Sequence, residues 1–216
     1  MTIVLALDDN TIYDHDVQSL QPGGWLTDSM IDYGIRELYY HVPSPLNETI
    51  CPLYASTATL CTYAVGEDLS PFLESFHLSK QEIVFIPVIR MTGTQSLYSP
   101  GNGVHWSLLI FLRKASMFPK IFFNNSRISK PSKLSANDPV FLHFDSSQQS
   151  NLQAAHDFMA KISIHLKYGT KLADIIPMPS PQQPNSSDCG VYLIFFASLP
   201  LSFSVIHFKI ICRLFS

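Results

Sequence analysis

The sequence predicts an α+β fold, and three observations carry that reading. Apolar residues recur at helical spacing in two stretches. Met30, Ile31, Ile35 and Leu38 form the first, and Leu152, Ala155, Phe158, Met159, Ile162 and Leu166 the second. The segments 82–90 (EIVFIPVIR), 105–112 (HWSLLIFL) and 140–144 (VFLHF) are dense in β-branched and aromatic residues and read as strands. Helical segments come first and strands follow with a helix among them, the order of a sheet with helices packed on it.

Taken in order, the first twenty residues alternate poorly and end in a loop, Gln21-Pro22-Gly23-Gly24. A helix opens at Trp25-Leu26-Thr27-Asp28, with Thr27 or Asp28 as N-cap, and runs to about His41, where Val42-Pro43-Ser44-Pro45 stops it. A second helical stretch is expected within 51–64, and a short segment near 71–78. The strand over 82–90 leads into a polar loop, 92–103, punctuated by Gly93, Pro100, Gly101 and Gly103. Strands over 105–112 and 140–144 follow, then a helix over 151–167 and a fourth strand over 172–178 (LADIIPM). Between the second and third strands, residues 113–133 carry Arg113, Lys114, Lys120, Arg127, Lys130 and Lys133 without one acid, as an exposed basic loop would. One domain over 1–198 is expected, with 113–138 as an inserted loop and 199–216 as an atypical apolar tail.

Composition narrows the function classes. Hydrophobic content of 46% and aromatic content of 12% exclude a disordered chain. A net charge of −3 does not suit a nucleic-acid binder. Residues 1–112 nevertheless hold twelve acids against Arg36, Lys80 and Arg90, a local charge of −9. That is either a field suited to a basic partner or an ordinary solvated surface. Cys51, Cys61, Cys189 and Cys212 include no CxxC and no zinc spacing, so neither a metal nor another cofactor is expected. The opening MTIVLALDDN lacks a secretory signal, so a reducing cytoplasmic or nuclear setting with free thiols is expected. The run VYLIFFASLPLSFSVI from Val191 is short for a membrane span and broken by Pro200. A buried helix ending at Leu199 explains its first half equally well. A soluble monomer is the expectation.

The chemistry concentrates in Pro181-Gln182-Gln183-Pro184-Asn185-Ser186-Ser187-Asp188-Cys189-Gly190. A Pro/Asn/Ser loop delivers a cysteine to the first turn of a buried helix, whose free N–H groups and dipole favour the thiolate. Gly190 would let a substrate backbone come close. A buried structural cysteine is the plainer alternative. A thiolate nucleophile needs a base, and the base an orienting group. His105 opens one strand and Asp145 follows the end of another, so neighbouring strands could bring them together. Gln183 could aim its amide N–H, with the Cys189 backbone N–H, at an oxyanion. A cysteine phosphatase would need Arg six residues after the nucleophile, where Phe195 stands.

Together these segments resemble the ubiquitin-like-protein proteases, the family of the sentrin/SUMO-specific proteases and the Nedd-type deneddylases. The resemblance covers roughly 8–198. It rests on Trp25-Leu26-Thr27-Asp28-x-x-Ile31, Gly103-x-His105-Trp106-Ser107-Leu108-Leu109, His143-Phe144-Asp145-Ser146 and Gln183-x-x-x-x-Asp188-Cys189-Gly190-Val191-Tyr192, in the family's order. It implies a papain-like cysteine protease fold with His105, Asp145 and Cys189 as triad and Gln183 at the oxyanion hole. It also implies that Trp25 and Trp106 flank a narrow tunnel for a Gly-Gly tail and that Asp28 contacts the modifier. Both tryptophans could equally be core residues. The implied partner is a ubiquitin-like modifier, Nedd-type or SUMO-type, and its conjugates. The short N-terminal stretch looks more like the small deneddylases, whereas the basic 113–133 segment and Ser187, at a commonly aromatic position, depart from them. A modifier-binding protein without activity is the non-catalytic alternative.

Overall fold

The computed structural model describes residues 2–6, 10–44, 46–64, 68–90, 105–117, 134–168 and 173–201. In chain order, β1 (Ile3–Ala6) and β2 (Thr11–Tyr13) make an antiparallel ribbon, followed by α1 (Asp14–Gln18) and α2 (Asp28–Tyr40). Then come β3 (Ile50–Pro52), α3 (Ala55–Tyr63) and α4 (Ser70–Leu73), the last trailed by two 3-10 turns. The strands β4 (Ile83–Arg90), β5 (His105–Leu112) and β6 (Val140–Phe144) follow, then α5 (Leu152–Leu166), β7 (Asp174–Pro177) and α6 (Cys189–Ser198).

The main sheet has the order β3-β4-β5-β6-β7. Its centre is antiparallel, from Ile83↔Leu112 to Arg90↔His105 and from Leu112↔Val140 to Leu108↔Phe144. The parallel edges β3 and β7 close it. Successive side chains of a strand point to opposite faces, and both faces are covered, so β5 is almost wholly apolar. On one face Phe85, Leu108, Ile110 and Leu142 pack with α2 and α6. On the other, Val84, Leu109, Phe111 and Phe141 pack with α3 and α5. Each such buried side chain stabilises the fold by about 1.5–3 kcal/mol relative to exposure. Where α2 crosses α6, a Cβ on Gly34 would lie 2.6 Å from Ile194 Cδ1, so any larger residue would require Ile194 to shift.

Several sequence expectations change here. The first twenty residues contain a hairpin and a short helix. All four residues of β1 are exposed, so no burial alternation marks the strand. The helical stretch expected within 51–64 is present as α3, but it is preceded by an unforeseen short strand, in which Cys51 pairs with Val84 and Pro52 with Phe85. The fourth strand shortens to Asp174–Pro177, ending on a proline that an edge strand tolerates. Arg113 does not belong to a solvated basic loop. Its guanidinium donates to the carbonyls of Gln81 (2.7 Å), Leu78 (3.0 Å) and Leu166 (3.2 Å), closing the C-terminal end of α5. The expected loop 92–103 and most of the basic segment, 118–133, lie outside the described residues, as does the tail from 202.

Two of the twelve acids in the first half are likewise not surface charges. Asp16 is 1% exposed and accepts from Tyr13 N (2.9 Å) and Thr27 Oγ1 (2.6 Å). Asp32 accepts from the backbone N–H of Ala55 and from Ser56 Oγ at 2.8 Å, tying α2 to the first turn of α3. Burial pushes the Asp32 carboxyl up to about 6.

Candidate active site

The site forms where three chain segments meet at one end of the main sheet. His105 is the first residue of β5, and Asp145 is the residue after β6. Because β6 leaves the ladder at Phe144↔Leu108, His105–Ser107 run on past it, and the chain after β6 turns beside them. His105 Nε2 lies 2.7 Å from Asp145 Oδ1, with the histidine side chain 14% exposed and the carboxylate fully buried. Cys189, 2% exposed, begins α6, and it lies near enough to the same imidazole to raise its pKa. Nε2 is engaged by Asp145, so Nδ1 is the nitrogen left for the sulfur.

The cysteine arrives there because two loops are zipped together. Met178 N donates to His143 O at 2.8 Å, and Gln183 N donates to Ser146 O at 2.9 Å. Ser146 Oγ donates to Gln183 Oε1 at 2.6 Å, and Gln182 Nε2 to Asp145 O at 3.2 Å. Asn185 Oδ1 then accepts from the N–H groups of Ser187 and Asp188, each at 3.0 Å, turning the chain into α6. The Gln183 amide also donates through Nε2 to Asn185 O at 2.7 Å.

Electrostatics within this group are one-sided. Burial works against a charged imidazole, but hydrogen bonds with Asp145 and Cys189 and the charges of both outweigh it. Together they raise the His105 pKa from 6.5 to about 9. Burial likewise opposes ionisation of Asp145, yet its carboxyl is held below the ordinary range by His105 and by the N–H groups of Asn151 (2.9 Å) and Ser147 (2.8 Å). A carboxylate and an imidazolium therefore persist together at neutral pH.

The remaining predicted residues are placed as follows. Trp25 is half-buried in the loop before α2, and Asp28 is the first residue of α2, half-buried, with its carboxyl raised by burial. Trp106 is 3% exposed and belongs to the core cluster that also contains Cys189. The Trp25–Asp28 segment is pinned from two sides: Thr27 bonds to Asp16, and Leu26 lies against Gly190. A Cβ on Gly190 would stand 2.9 Å from Leu26 Cβ and 3.2 Å from its Cδ1. The space beside Gly190 is thus taken by Leu26 of this chain, a correction to its reading as room for substrate backbone. Gly190→Ala should cost about 1–3 kcal/mol through overpacking and lower the melting temperature by several degrees in a thermal scan.

Sequence reasoning missed Asn151, Ser107, His143 and Gln149. His143 is fully buried and bonds to Ser107 Oγ (3.0 Å) and Gln149 Oε1 (2.9 Å), and burial lowers its pKa. The available signal was a polar side chain at alternate positions in otherwise apolar strands. Among the described residues no group of three or more His, Cys, Asp or Glu could hold a metal ion. No described helix is long and apolar enough to cross a membrane.

Comparison with known proteins identifies the family. The human protein named sentrin-specific protease 8 is 27% identical over 196 residues, covering 89% of this chain and 78% of its own length. NEDD8-specific protease 1 of Arabidopsis thaliana is 22% identical over 213 residues, covering 99% and 76%. Among solved structures, that of a de-sumoylating protease superposes with a TM-score of 0.59 at 20% identity, covering 99% of this chain and 83% of the other. The yeast Ulp1 protease domain in complex with Smt3 superposes with a TM-score of 0.58 at 19% identity, covering 99% and 83%. These two likenesses concern the fold. Residues 67–203 match the model of the Ulp1 protease family, C-terminal catalytic domain, so the chain belongs to that family of cysteine proteases.

Proposed function

We propose that the chain cleaves the peptide or isopeptide bond that follows the Gly-Gly tail of a ubiquitin-like modifier, of Nedd type ahead of SUMO type. The observation that carries the reading is one imidazole bonded to a buried carboxylate and electrostatically coupled to a cysteine at a helix start. The relatives named for sentrin and NEDD8 support the substrate class.

In this mechanism Cys189 Sγ attacks the carbonyl carbon of the terminal glycine. The resulting oxyanion meets the Cys189 backbone N–H and the Gln183 side chain. An amide NH2 carries two hydrogens, and Gln183 gives one to Asn185, which leaves the other for the oxyanion. The His105 imidazolium passes its proton to the departing amine, leaving a thioester on Cys189. His105 then takes a proton from water, whose oxygen attacks the thioester and releases the modifier with a free carboxylate. Asp145 keeps the imidazole oriented and balances its charge. Half-buried Trp25 and core-packed Trp106 are assigned to the two sides of the tunnel for the tail. Asp28, on the same segment as Trp25, is assigned to contact the modifier.

Vinyl-sulfone probes carrying Nedd-type, SUMO-type and ubiquitin tails test the assignment. Labelling of Cys189 is expected fastest with the Nedd-type probe, next with SUMO-type, and to vanish when the penultimate glycine is changed to alanine. Preference for ubiquitin, or indifference to the glycine change, would overturn the substrate reading. Binding without labelling would favour a modifier-binding protein without activity.

A further inference from the structure

Asparagine at a helix N-cap ordinarily turns its side chain onto its own helix, accepting from an N–H of the first turn. Asn151 is the N-cap of α5, fully buried, and makes no such bond. Its amide is turned onto the sheet. Nδ2 donates to His105 O at 2.8 Å, to Ser107 Oγ at 3.1 Å and to Val88 O at 3.3 Å. Two of these three partners are carbonyl oxygens, which accept only, so the NH2 end must face them. Oδ1 is left buried without a hydrogen-bond partner among the described residues. A buried carbonyl oxygen without a partner is costly, so the site retains Asn151 for its donors.

The place of these bonds matters more than their number. β6 stops pairing at Phe144, and only because it stops does Asp145 reach the imidazole. His105–Ser107 therefore lack a β6 neighbour, and the Asn151 amide occupies that gap at the His105 carbonyl. The backbone N–H of the same residue donates to Asp145 Oδ2 at 2.9 Å. One residue thus grips the backbone of the histidine and the carboxylate of the aspartate. We propose that Asn151 is the positioning residue of the triad, setting the His105–Asp145 contact from the start of α5.

This inference rests on the reading of His105, Asp145 and Cys189 as the reacting centre. That reading stands or falls separately on loss of turnover in Cys189→Ser. Asn151→Ala keeps the backbone N–H and removes the side-chain donors. The expected result, per folded molecule counted by probe labelling, is a fall in kcat of about 10–100-fold, since small misplacements of reacting groups cost that much. KM for a modifier-tail substrate should stay within about twofold of the wild-type value, because Asn151 is fully buried and offers a substrate no surface. The alkaline limb of the pH–rate profile should move to lower pH as the imidazole loses its grip on the carboxylate. The titratable groups around His105 in that profile are Asp145, Cys189 and His143. Met159→Ala, a buried change in the same helix, serves as comparison. It should lower the melting temperature while leaving kcat and the profile unchanged.

An Asn151→Ala enzyme that matches Met159→Ala in kcat per folded molecule and in pH profile would overturn the proposal. If Asn151→Ala does not fold, NMR on the wild-type chain decides. The Asn151 backbone amide proton should shift with the His105 titration, and an amide indifferent to that titration would overturn the assignment.

Discussion

Cys189→Ser is expected to abolish release of a modifier tail, with turnover falling by about 10⁴–10⁶-fold, while binding of the intact modifier persists. The serine oxygen fits the space of the sulfur, so the fold remains. It is a far weaker nucleophile, and it lacks the influence that Cys189 has on the His105 pKa. The substitution therefore has a second readout. The Cys189 hydrogen bond and charge are among the influences that hold His105 at about 9, so its imidazole should titrate at lower pH in the variant. Release of a fluorogenic tail and an NMR titration of the His105 ring measure the two effects. A variant with turnover near that of the wild type would mean that Cys189 is not the nucleophile.

Asp145→Asn should lower kcat by about 10²–10⁴-fold, the usual range for losing assistance to a general acid–base. The shape of the amide is close to that of the carboxylate, but the negative charge facing Nε2 disappears. Burial, the largest single influence on His105 and one that lowers its pKa, then meets opposition only from Cys189. The imidazolium needed to protonate the leaving amine should be lost at lower pH than in the wild type, moving the alkaline limb of the rate profile down.

Stability follows the same linkage. A histidine raised from 6.5 to about 9 on folding stabilises the native state in full below about 6.5, and that stabilisation fades as pH climbs through about 9. Asp145, held low, stabilises above its ordinary range and loses that contribution as pH falls through its depressed folded value. Asp145→Asn should therefore flatten the pH dependence of the melting temperature at both ends. An unchanged profile, in rate and in stability, would contradict the pairing seen at 2.7 Å.

How much of this was legible in the sequence depends on the range of the interaction. β5 and β6 have the bounds that composition predicts, His105–Leu112 and Val140–Phe144. Strands buried on both faces are apolar at nearly every position, and no partner need be known to see that. The helix starting at Cys189 is equally local: a loop of Pro, Asn and Ser gives way at once to an apolar run. The three-residue strand β3 was invisible because its strand character comes only from pairing with β4. Arg113 read as one basic residue of a loop, since its three carbonyl partners lie 32 to 53 residues away in sequence.

The sequence by itself determined the chemical inventory: a cysteine at a helix start, a histidine opening one strand, an aspartate ending the next, and a glutamine six residues before the cysteine. These are properties of single residues and their neighbours, and the family's motif order is written in them. Only the tertiary structure decided what each is held by. It spends Asp16 and Asp32 on helix starts rather than on a surface field, fills the space beside Gly190 with Leu26, and turns Asn151 from its own helix to the His105 carbonyl. The physical reason is that a polar side chain carries its bonding capacity in the sequence, but not its partner. Burial then requires that a partner be found, and the folded chain alone specifies which one lies within reach.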